Sequence, residues 1–204
     1  MKKITLLFTI TLLILSCNKP KKSYLEKIQQ HQYELNSFYA NEKDSPLTIK
    51  DLKEFKSLDF FEIDEAYKII ADFELTPNTA IFEMKTSTER LPLYRKYGVA
   101  SFILNGKEFR LNIYQNQSLL TSVEYKNHLF LPFNDLTNNK TSYGGGRYID
   151  LEIPSTDSNT ITIDFNKAYN PYCAYNHKYS CPIPPAENFL NTEIKAGVKI
   201  FKKH

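Results

Sequence analysis

From Ala66 onward, apolar and polar residues alternate with a period of two through eight short segments, at 67–75, 80–86, 99–104, 108–114, 122–125, 129–133, 148–153 and 160–165. They are rich in Ile, Val, Tyr, Phe and Thr, side chains that pack well on a pleated, half-buried surface. Successive side chains of a strand point to opposite faces, so this spacing commits one face of each segment to a core. Asn105 and Gly106, between two of the segments, tolerate the positive φ of a tight hairpin turn. No helical pattern separates the segments. That argues against a doubly wound sheet and predicts a mainly β (α+β) fold, an antiparallel β-sandwich or a partly closed barrel.

The residues before Ala66 follow a different period. Ser23 and Glu26 form a capping box, and Leu25, Ile28, Leu35, Phe38 and Tyr39 recur at helical spacing, which predicts an amphipathic helix of about four turns. A breaker run at 41–46 ends it. Thr48 and Asp51 then open a shorter helical piece carrying Leu52, Phe55 and Leu58. Near the C-terminus, residues 166–188 contain Pro171, Pro182, Pro184 and Pro185, four tyrosines and two cysteines, and read as a long ordered loop. A last strand or turn is expected around 194–201.

The first residues look like an address. Lys2 and Lys3 precede an uncharged run at 4–15, followed by Ser16 and Cys17. Twelve residues at about 1.5 Å each span roughly 18 Å as a helix, short of the ~30 Å hydrocarbon core, so the run reads as a secretory signal at 1–16. The Ile-Leu-Ser-Cys ending resembles a bacterial lipobox, with Cys17 the lipidated residue, 17–22 a linker and 23–204 a single β-rich domain. Acyl chains on Cys17 would hold the protein to a membrane of the cell envelope, an outer membrane being mildly preferred. Charge adds little, because 26 basic and 23 acidic side chains give a net +3 without a basic cluster. Nothing in that balance points to nucleic acid.

Two stretches could carry chemistry. Gly144, Gly145 and Gly146 are half of the six glycines, and three in a row can turn successive N–H groups into one anion-binding concavity. Arg147 after them could fork onto a carboxylate or phosphate; a tight turn with Arg147 paired to Asp150 or Asp164 is the structural alternative. The second stretch runs from Asp164 to Asn188. Asn166, Asn170 and Asn188 are ligand-binding candidates, and Asp150, Asp164 and Glu187 are candidate general acids or bases. Side-chain capping of an irregular loop would equally explain the Asn and Asp residues.

Cys173 and Cys181 admit three readings. In an exported chain a disulfide is the first expectation, worth roughly 2.5 kcal/mol for so short a loop. A metal reading would add His177 and Glu187, although the spacing matches no common zinc pattern. A nucleophile reading would use His177 or His128 as base and Asp164 as orienter. The tyrosines at 169, 172, 175 and 179 could stack on sugar rings, but a chain with 14 Tyr, 14 Phe and no Trp uses them more simply as core and hairpin residues. No Walker or dinucleotide pattern is present, so no cofactor is expected.

Several motifs together point to a family. Ser45-Pro-Leu47, Leu129-Phe-Leu-Pro-Phe-Asn-Asp135, Tyr143-Gly-Gly-Gly-Arg-Tyr-Ile-Asp150, Asp164-Phe-Asn166, Ala168-Tyr-Asn-Pro171, Cys173-Ala-Tyr175 and Cys181-Pro-Ile-Pro-Pro185 resemble the bacterial and archaeal family catalogued as domain of unknown function 1684. The resemblance spans nearly the whole chain after the signal segment. It implies a shared fold and carries no established activity. Three functions remain open at this level: a lipid-anchored module binding a small anionic ligand through Arg147 and the glycine turn, a hydrolase or transferase built on the carboxylates and Arg147, and an envelope interaction protein without a small-molecule site.

Overall fold

The computed structural model describes residues 22–155 and 158–201. The segment expected as a signal, Cys17 and the residues up to 21 lie outside the described residues. The elements are helices α1 (Tyr24–Ala40) and α2 (Ile49–Glu54), then strands β1 (Lys68–Leu75), β2 (Ile81–Glu83), β3 (Leu93–Leu104), β4 (Lys107–Asn116), β5 (His128–Asp135), β6 (Arg147–Glu152), β7 (Thr160–Asp164) and β8 (Phe189–Leu190). The strands order as β6-β5-β4-β3-β1-β7, with β2 on the start of β3 and β8 on the end of β5. All pairings but β5·β8 are antiparallel. The sheet curls into a half-barrel whose edge strands, β6 and β7, are consecutive in the chain and come back within contact. Of the two expected architectures, the partly closed barrel is the one formed.

The alternation works as expected. On β1, Ile69, Ala71 and Phe73 are buried and Lys68, Ile70 and Asp72 exposed. They join Ala100, Phe102 and Leu104 of β3, Leu111 and Ile113 of β4, and Ile161 and Ile163 of β7 in the main core. Asn105 and Gly106, at φ 52° and 73°, turn β3 into β4 with Leu104 opposite Lys107. The capping box also forms: Ser23 N–H donates to Glu26 Oε2 at 2.7 Å and Glu26 N–H to Ser23 Oγ at 3.2 Å.

Strand β5 is buried on both sides. Leu129, Leu131 and Phe133 enter the main core, and Phe130 enters a second cluster with Met84, Tyr94, Tyr114 and Tyr148 on the opposite, outer face. A third cluster packs Tyr39 of α1 on Leu47, Leu58, Ala174, Tyr175 and Val198. The proline-rich loop and α1 therefore cover part of the outer face that an uncovered sheet would expose.

Residues 122–125, expected as a strand, form a turn. Ser122 accepts Lys126 N–H through its backbone carbonyl at 3.0 Å, a helical-type bond that a strand cannot make, and Val123 is left exposed. Residues 194–201 add no strand beyond a single bridge from Val198 to Phe60. Strands β4 and β5 pair in register only at Tyr114 and Phe130. Beyond that point Asn188 fills the gap between them: its Oδ1 accepts Asn112 N–H at 2.8 Å, and its Nδ2 donates to the carbonyls of Asn112 (2.8 Å) and Pro132 (2.7 Å). One carboxamide stands in for the missing ladder.

Candidate functional site

A cleft of about 490 Å³ opens on the outer face, between α1, the β5–β6 pair and the proline-rich loop. Helix spacing on α1 brings His31, Leu35, Phe38 and Tyr39 to one wall. Tyr94, Phe130 and Tyr148 form the floor, and Tyr125, Tyr169 and Tyr172 approach from the turn before β5 and from the loop. Tyr148 meets Phe130 edge-to-face at 4.7 Å and 74°, and Tyr169 at 5.8 Å and 90°, so its ring stands close to perpendicular to both. The Tyr148 hydroxyl donates to the carbonyl of Pro182, which pins the loop to β6.

The polar centre of the cleft is Asp150. It lies opposite Phe130 in the β5–β6 register, and its Oδ1 is 2.8 Å from His128 Nε2 and accepts the Tyr169 hydroxyl at 2.9 Å. Its side chain is nonetheless 52% exposed. With Nε2–H donating to Asp150, His128 keeps its lone pair on Nδ1, and that atom is buried without a hydrogen-bond partner. Burial first, and the Asp150 charge second, push the phenols of Tyr169 and Tyr172 above their ordinary range. Burial, then Lys167, lowers the pKa of His31, favouring its neutral form. The described lining holds neither Lys nor Arg, and Asp150 is its one acid.

Of the ten candidate ligand or catalytic residues, Asp150 alone lines this cleft. Arg147 does not reach a ligand-facing surface. It points into the main core with Ile149 and Leu151, is fully buried, and pairs with the equally buried Asp135 at 2.7 Å. Nη1 and Nη2 also donate to the carbonyls of Ala196 and Ile194, Nε is buried without a partner, and the guanidinium lies over the rings of Phe133 and Phe61. The glycine turn forms no cradle around it. Gly146, at φ 88°, is packed so that a Cβ there would stand 2.6 Å from Asn134 Oδ1 and 2.8 Å from Phe133 O, while Gly144 lies under the Asn139 side chain and Gly145 is exposed.

The remaining candidates are dispersed through the fold. Asn166 is buried and joins Tyr24, Asp64 and Asp164; Asp164 also accepts the Tyr24 hydroxyl at 3.0 Å. Asn170 donates to the Lys199 carbonyl at 2.9 Å and to the Tyr175 hydroxyl. Asn188 is the β4–β5 clamp, and Glu187 beside it is exposed. These placements are those of capping and clamping residues. His128, raised in the sequence only as a thiol's base with Asp164 as orienter, is instead oriented by Asp150. Their separation by a turn of β5 into β6 hides that pairing from any linear motif.

The expected disulfide is corrected: Cys173 and Cys181 are unbridged and buried. Cys181 Sγ accepts the Cys173 backbone N–H at 3.1 Å, and the Tyr143 hydroxyl is 3.9 Å from Cys173 Sγ. The loop is closed instead by hydrogen bonds to residues 85–90, including Cys181 N–H to Ser87 Oγ and Arg90 to Ser180. The Cys181 thiol, then burial, then the Tyr143 hydroxyl set the Cys173 pKa, which falls to about 7, while that of Cys181 rises. Among the described residues, no three His, Cys, Asp or Glu side chains are placed to hold a metal ion, and no helix is long and apolar enough to cross a membrane.

Fold and site together define a β-rich half-barrel module with an aromatic cleft on its outer face, closed by an N-terminal helix and a proline-rich loop. The chain belongs to the family described as "Protein of unknown function (DUF1684)", which matches residues 53–199. It is similar to an uncharacterised protein of Haloarcula marismortui solved by NMR, at 32% identity and a TM-score of 0.69, over 89% of this chain and 96% of that one. No curated protein matches it significantly.

Proposed function

We propose that this is a lipid-anchored envelope protein whose aromatic cleft binds a small organic molecule. The observation that carries the reading is Asp150: a half-exposed carboxylate, oriented by His128 and Tyr169, at the floor of a cleft walled by aromatic rings. Small-molecule sites are typically apolar concavities of roughly 300–1,000 Å³ with a few placed polar groups, and this cleft has that size and composition. The anionic ligand expected from Arg147 loses its cation, because that guanidinium is consumed in the core. Catalysis is less well supported than binding. His128 cannot serve as the general base, because its Nε2 is tied to Asp150 and its Nδ1 is buried.

The experiment is a titration of the soluble domain with indole, followed by backbone amide shifts. Binding in the cleft moves the amides of His31, Tyr94, Asp150, Tyr169 and Tyr172 together. Shifts scattered over the surface, or no cleft shift with indole or with a small organic cation, alcohol or carboxylate, reject the cleft as a ligand site. The anchor rests on the pattern from Lys2 to Cys17. Replacing Cys17→Ser is expected to abolish acyl labelling and release the protein from the membrane fraction, and unchanged labelling would reject it.

A further inference from the structure

The charge of the cleft is one-sided. Its single acid is Asp150 and it holds neither Lys nor Arg; Arg90, outside the lining, is turned onto Ser180, with Nε 3.0 Å from Oγ and Nη2 2.7 Å from the carbonyl oxygen. Both hydrogen bonds to Asp150 end on Oδ1, which leaves Oδ2 on a side chain that is half-exposed. His128 does not offset that charge in its neutral tautomer, and the protonated ring would place a second N–H at Nδ1, where no acceptor stands. Around the carboxylate stand aromatic rings whose faces carry negative quadrupole charge. Tyr125 and Tyr172 are 45% and 38% exposed, so their rings can be reached from solvent, and Tyr148 and Tyr169 stand at right angles behind them. Carboxylate and ring faces favour the same kind of guest, a cation with an apolar skin, and disfavour an anion.

We infer that the ligand is a small organic cation, an alkylammonium whose charged end sits against Asp150 and whose carbon shell packs on the tyrosine faces. This rests on the cleft being a ligand site at all, and names the chemical class it takes. The chain has no Trp, so Leu119→Trp on the cleft wall supplies a single fluorescent reporter without touching Asp150 or the rings.

The test compares choline, its neutral isostere 3,3-dimethyl-1-butanol, and benzoate, each titrated into the Leu119→Trp protein and, by amide shifts, into the unaltered one. Choline is expected to bind about tenfold more tightly than the isostere, with no saturable response to benzoate. Asp150→Asn should remove most of that difference and leave the affinity for the isostere unchanged, with melting temperature as the check on folding. Equal affinity for choline and isostere, or tighter binding of benzoate, overturns the cation while leaving the cleft as a site. If none of the three probes nor indole moves the cleft amides, the cleft reading itself falls, and the cation with it.

Discussion

Arg147 and Asp150 stand three residues apart on β6 and face opposite sides of the sheet: the guanidinium lies fully buried in the main core, and the carboxylate lines the outer cleft. The odd spacing is sufficient cause, since strand side chains alternate. The core thus takes one charged residue of this short strand and the proposed ligand cleft another.

The buried pair gives the first prediction. Arg147→Ala leaves the Asp135 carboxylate without a counter-charge and frees two buried carbonyls, so it should cost about 4 kcal/mol in urea unfolding. Neutralising both partners while keeping the acceptor that Thr137 and Ile194 use, Arg147→Met with Asp135→Asn, should recover much of that loss. A double variant no more stable than Arg147→Ala would contradict this account.

Asn188→Ala removes the carboxamide that bridges β4 and β5. The groups left behind belong to Asn112 and Pro132, and the expected cost is about 2 kcal/mol. If the opening is local, exchange of the Asn112 amide should accelerate roughly thirtyfold, a factor that follows from the same energy. An unchanged exchange rate would show that the strands hold together without the clamp.

Gly146 and Gly106 both have positive φ, at 88° and 73°, but differ in surroundings. A Cβ at Gly106 meets nothing within 4 Å, whereas one at Gly146 collides with Asn134, Pro184 and the Phe133 carbonyl. Gly106→Ala should therefore cost about 1 kcal/mol, the conformational term alone. Gly146→Ala should cost at least ~2 kcal/mol more, read as the gap between their thermal midpoints converted to free energy. Equal losses would mean that the turn around Gly146 relaxes freely.

The paired thiols predict a pH dependence. Cys173 has its pKa lowered to about 7, first by the Cys181 thiol, and Cys181 has its own raised in return, so the pair gives up one proton near neutrality and keeps the second. The Cβ resonance of Cys173 should titrate around pH 7, and Cys181→Ala should move that midpoint upward by removing the donor that stabilises the thiolate. The denatured, unreduced domain, residues 23–204, should show two free thiols. A count of zero would restore the cross-link.

Much of the fold could be read along the chain. The capping box of Ser23 and Glu26, the Asn105-Gly106 turn and the alternation of 129–133 and 148–153 act through neighbours a few residues away. Parity on β6 could be read too: Ile149 and Leu151 mark the core face, and Arg147 falls on it. The run of glycines before Arg147 pointed the other way, toward an anion site. Asn188 and His128 were harder, because each works on a partner from another strand, at Asn112 and Asp150, where no spacing signals the contact. The turn at 122–125 has strand-forming residues but too few of them to overcome the local bond that Ser122 makes.

Tyr24, the first residue of α1, has its hydroxyl fastened to Asp164 and Asn166, beside the end of β7. Its neighbours on the N-terminal side lead toward Cys17, so any pull transmitted along the chain from that direction loads this phenol before it reaches the turns of α1 that wall the cleft. Were that end of the chain held, as the proposed anchor requires, the latch would act as a strain relief for the helix turns that wall the proposed ligand cleft.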